Sequence, residues 1–116
     1  MKLTVKQLGN KHYEVKTTNR NMRAMFALQL TMAKADDLDG LDPQEQVQRS
    51  FDMLNQVTDF ISGTLGLNDK ETAKLDDLEF EDTVEIANYI IARMMGLSDE
   101  DIALAEKQDQ KSQDED

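Results

Sequence analysis

The chain has 116 residues, no cysteine, 5% aromatic residues and a formal net charge of −11. That length fits one domain, since domains typically run to roughly 100–150 residues, and the missing cysteines exclude disulfides, thiolate metal sites and thiol nucleophiles. Hydrophobic residues at 39% allow one modest core, filled largely by aliphatic side chains and seven methionines, while no stretch approaches the roughly 20 apolar residues of a membrane helix.

The opening segment predicts a β-hairpin. Leu3 and Val5 alternate with Thr4 and Lys6, and Tyr13 and Val15 alternate with Glu14 and Lys16. Between them Gly9-Asn10-Lys11 offers residues that tolerate the positive φ of a tight reversal. A lone hairpin is marginally stable in water, so its apolar face must lean on helices or on another chain.

At Thr18 and Asn19, both capable of capping a helix, the hydrophobic period changes from two to 3.6. Met22, Met25, Phe26, Gln29, Met32 and Ala33 then share one side of a first helix, widened by Ala24, Ala27, Leu28 and Thr31. The acidic run Asp36-Asp37-Leu38-Asp39-Gly40-Leu41 breaks it. Asp42 and Pro43 restart the chain as N-cap and first helical residue. Val47, Phe51, Leu54, Val57, Ile61 and Leu65 repeat at helical spacing until Gly66, a C-cap. Asn68 caps a short third helix to about Leu75. A fourth, from about Glu81 to Met95, carries Val84, Ala87, Ile91 and Met94 on one face and ends at Gly96. Ser98, with Asp101 three residues on, starts a fifth with only a weak apolar stripe at Ile102 and Ala105. From Glu106 to Asp116 there is no apolar residue. The expected architecture is therefore mainly α (α+β): a hairpin over residues 1–17 and a bundle of about four to five helices form one domain over 1–105, and 106–116 form an acidic disordered tail.

Charge divides the chain. Residues 1–35 hold seven Lys or Arg against Glu14 alone, and the other 23 acids all follow. The basic segment, with Lys2, Lys6, Lys16, Arg20 and Arg23, raises an alternative function as a small nucleic-acid-binding regulator. The acidic remainder repels a phosphate backbone at long range, which disfavours it.

No catalytic constellation emerges. In the loop around Asp37 and Asp39, placing Gly40 at the sixth position of a calcium loop puts Ala35 first and Gln46 twelfth, where carboxylates must coordinate. Asp82-Thr83-Val84-Glu85-Ile86 resembles a helix start of acyl carrier proteins, but Phe80 stands where their modified serine lies, so there is no hydroxyl to carry a prosthetic group. His12, the single histidine, falls at or just beyond the predicted turn with no convergent polar groups in the adjacent sequence. The expectation is a non-enzymatic binding protein without metal or cofactor. Methionine fills irregular core gaps and also serves surfaces that repack around varied partners. Met22, Met25, Phe26 and Met32 on the first helix, and Met94 and Met95 on the fourth, are the candidate partner-binding residues, with core packing as their ordinary alternative role.

The whole pattern is a basic hairpin, from Met1-Lys2-Leu3-Thr4-Val5-Lys6 to Tyr13-Glu14-Val15-Lys16-Thr17, leading into Asn19-Arg20-Asn21-Met22-Arg23-Ala24-Met25-Phe26. Four more helical segments follow, with Gly66 and Gly96 between the later ones, and an acidic end. It resembles the tail assembly chaperones of long-tailed bacteriophages, particularly those of Gram-positive hosts. The resemblance implies a protein absent from the mature virion and acting in the host cytoplasm. It implies two partners: the tape measure protein, whose apolar helices are coated, and the tail tube protein, whose subunits are recruited. In many relatives a frameshift adds a longer form. Self-association stays open, and without a membrane-length apolar run no membrane contact is expected. No apolar run in Met1–Lys6 marks a signal peptide, which suits that location.

Overall fold

The structure, a computed structural model, describes the backbone of residues 1–35, 37 and 39–114 and the side chains through residue 107. Asp36 and Leu38 of the predicted helix break, and Glu115 and Asp116 of the predicted tail, lie outside the described residues.

Strands β1 (Lys2–Thr4) and β2 (His12–Glu14) pair antiparallel with Leu3 opposite Tyr13. The alternation read from sequence holds, since Leu3, Val5, Tyr13 and Val15 are all buried. The reversal is wider than a tight turn at Gly9-Asn10-Lys11. A 3-10 turn over Lys6–Leu8 precedes it, closed by the Leu8 N–H donating to the Val5 carbonyl at 3.0 Å. This turn carries Leu8 into the same core cluster as Val5, a burial that a reversal confined to Gly9-Asn10-Lys11 does not supply. Gly9 then takes φ +125°, a conformation open to glycine because it lacks a Cβ. The Met1 ammonium closes the open end on Glu14 Oε1 at 3.1 Å and the Val15 carbonyl at 2.9 Å.

Helix α1 (Asn19–Lys34) starts where Thr18 Oγ1 accepts the Asn21 N–H at 3.2 Å. Helix α2 (Pro43–Leu65) starts where the Asp42 carboxylate accepts the Glu45 N–H at 2.8 Å, with Pro43 in the first turn. It stops at Gly66, which is left-handed at φ +67°. Helix α3 (Asp69–Asp76) opens with a reciprocal box between Asn68 and Glu71. Helix α4 (Phe80–Met94) follows, and α5 (Asp99–Asp114) begins with the same exchange between Ser98 and Asp101. Each box satisfies N–H groups that a helix start leaves unpaired. The helical backbone of α5 reaches into the segment 106–116, where Glu106, Lys107, Gln108, Gln110 and Lys111 are good helix formers despite their polarity.

Helix α2 is the central element, packed against α1 on one side and α4 on another, with α3 against its end and against the 3-10 turn. One cluster joins the hairpin to all of them, including Met25 and Leu28 of α1, Val57 and Ile61 of α2, Leu75 of α3 and Ile86 and Ile90 of α4. Burying each such side chain contributes about 1.5–3 kcal/mol. Bundle plus hairpin is the architecture expected from the periodicities.

Candidate partner-binding surface

The six side chains singled out from the sequence separate into three groups. Met25 and Met94 are core residues. Met22 and Met32 lie half-buried against that core. Phe26 and Met95 face solvent at 50% and 60% exposure. The last two share one side of the molecule. Gln29, one turn along α1 from Phe26, points its Nε2 at the Met95 sulfur 3.9 Å away. Leu30, four residues on from Phe26, is also exposed at 64%.

A second apolar surface was not anticipated. Val47, Phe51 and Leu54 of α2 are exposed at 69, 57 and 41%, although they continue the stripe that Val57, Ile61 and Leu65 bury. Residues at i, i+4 and i+7 stand above one another on a helix, so these three form one ridge about two turns long. Its flanks are Pro43, Gln44, Ser50, Asn55 and Thr58, all uncharged. The charged residues of the same stretch, Glu45, Arg49, Asp52 and Asp59, fall on the opposite arc. There Arg49 donates to the Asp37 carbonyl at 2.7 Å, and Gln56 accepts from Thr31 of α1 at 2.7 Å. On a chain that is 32% charged, a charge-depleted apolar face is the composition found at the centre of protein interfaces. The sequence carried a usable signal: plotted on a helix, every charge in 43–59 avoids the ridge.

Electrostatics distinguish α1 from the rest. Its 16 residues contain Arg20, Arg23 and Lys34 and no acid. A cation in the first turn opposes the helix dipole, at a cost of about 0.3–1 kcal/mol when exposed. Among the described residues Arg20 and Arg23 enter no ion pair; the three pairs present are Met1–Glu14, Lys11–Glu71 and Arg93–Asp99. With Lys16 they border an open hollow of about 800 Å³ between the end of the hairpin, the start of α1 and the end of α2.

Perturbed titrations mark fastenings between elements. The Tyr13 hydroxyl donates to Glu71 Oε2, joining hairpin to α3, and Lys11 Nζ adds a contact to the same carboxylate at 3.3 Å. Burial first, then this bond and the carboxylate charge, push Tyr13 up to about 12. The Tyr13 hydrogen bond in turn holds Glu71 below its usual range, helped by the Asn68 N–H and Lys11. Asp99 is lowered by bonds from Tyr89 and Arg93, each at 2.6 Å, which tie α5 to α4. His12 stands just beyond the turn, as the first residue of β2, exposed, its Nδ1 2.8 Å from Thr4 Oγ1 across the hairpin. Among the described residues no three His, Asp or Glu side chains are grouped to hold a metal ion, and no helix is long and apolar enough to cross a membrane.

No curated protein and no solved structure matches the chain. A family model does: residues 1–110 match the one described as phage tail assembly chaperone proteins.

Proposed function

We propose a function from one premise: this chain belongs to the family of phage tail assembly chaperones, whose model spans nearly its whole length. It binds the tape measure protein and recruits tail tube subunits around it, acting in the host cytoplasm without catalysing a reaction. The observation that carries this reading is the charge-free ridge Val47, Phe51 and Leu54, exposed on the longest helix of the protein. A long helical protein with unpaired apolar stripes aggregates unless those stripes are covered. A ridge about two turns long, without charge at its flanks, takes such a stripe as one helix takes another in a groove. Phe26, Leu30 and Met95 add a second apolar patch, and the excess of acids over the rest of the surface keeps the coated assembly soluble.

Co-expression with the tape measure protein of the same phage tests the reading. The wild-type chain raises the partner's soluble fraction and co-purifies with it, whereas the triple variant V47S/F51S/L54S folds but does neither. Equal rescue by wild type and triple variant, or none by the wild type, contradicts it.

A further inference from the structure

We infer that the outward face of α1 is a separate docking surface for an acidic amphipathic helix of a partner protein. Three observations converge on that chemistry. Phe26 and Leu30 form an apolar ridge with Met95 beside it, so the ligand must offer apolar side chains at helical spacing. Arg20 and Arg23 continue the same face toward the start of α1, and within the described residues no carboxylate pairs with either. The helix has no acid of its own, in a chain where acids outnumber Lys and Arg by 24 to 13. The placement of Arg20 also runs against local stability, because a cation in the first turn of a helix opposes its dipole where an acid would support it. Local rules broken without compensation inside the fold are expected at functional positions.

The alternatives fit less well. A phosphate backbone would meet the two arginines but leave the apolar ridge uncovered, and the acidic body would repel it. The α2 ridge has no flanking charge and so lacks any preference for an acidic ligand. The inference rests on α1 and its neighbour Met95, and it stands independently of the assignment of α2.

Two fluorescent synthetic peptides test it on the full-length chain by anisotropy. Both are amphipathic helices with the same leucine positions, one flanked by glutamate and the other by glutamine. The acidic peptide binds about tenfold more tightly despite the protein's net negative charge, and raising salt from about 0.1 to 0.5 M removes the difference. R20E/R23E reverses the preference, and F26S/L30S weakens both peptides while circular dichroism stays unchanged. Should the charge reversal disturb folding, R20Q/R23Q abolishes the preference instead. Equal binding of the two peptides overturns the inference, as does a preference that survives in R20E/R23E or is lost in V47S/F51S. Displacement of the acidic peptide by single- or double-stranded DNA reassigns the surface to nucleic acid. A scattering mass that falls to the monomer only in R20E/R23E reassigns it to a second copy of this chain. Either result overturns it.

Discussion

The two halves of α2 carry the same pattern and meet opposite fates. Val57, Ile61 and Leu65 are buried, while Val47, Phe51 and Leu54 on the same line are exposed. Periodicity states which way a side chain points on its helix, and burial depends on whether a neighbour is long enough to be there. Helix α2 has 23 residues and α4 has 15, so a partner of that length cannot cover the whole stripe. At 1.5 Å per residue the difference is roughly 12 Å of helix. The C-terminal half therefore holds the fold together, and the N-terminal half is available to another molecule.

The largest effect expected from this contrast is on stability. Ile61→Ala empties a fully buried site and lowers the unfolding free energy by about 2–5 kcal/mol in urea. Phe51→Ser, on the same line nearly three turns earlier, changes it by no more than about 0.5 kcal/mol. Comparable losses from the two would break the comparison.

A smaller effect concerns how the exposed half is held. Packed along one arc only, it leans on the Asp42 carboxylate that caps it, so Asp42→Ala costs about 1 kcal/mol. Amide exchange sharpens the point: the N–H groups of residues 47–54 exchange faster than those of 57–65, and Asp42→Ala widens the gap. Uniform protection along α2 would refute it.

Much of this was legible in the sequence. Asp42, Pro43, Gly66, Asn68 and Ser98 mark helix ends because capping is local chemistry, satisfied within a few residues. The hairpin strands were legible for the same reason. The turn was not, because the 3-10 detour at Lys6–Leu8 is favoured by the place of Leu8 in a core that no local rule describes. The methionines were not either. Met25 and Met32 are one face of α1 and Phe26 the edge of another, and only the positions of α2 and α4 decide which is covered.

The hairpin supplies a smaller test at its contact with α3. Tyr13 has its hydroxyl pushed from 10.0 to about 12 in the folded protein. A group raised on folding contributes stability below its unfolded value and loses it as pH climbs through the folded one, so the contribution is complete below pH 10 and disappears toward pH 12. Tyr13→Phe costs about 1 kcal/mol at neutral pH through the lost bond to Glu71, and flattens the alkaline loss. An alkaline profile identical to wild type would show that the Tyr13–Glu71 bond does not fasten the hairpin.

Hydrogen exchange of the full chain, alone and mixed with the tape measure protein proposed as its partner, tests the central claim most directly. Slowed exchange over residues 44–54 of α2, where the apolar ridge stands bare, is the predicted result. Protection confined to other segments, with residues 44–54 exchanging as fast with the partner as without it, would contradict it.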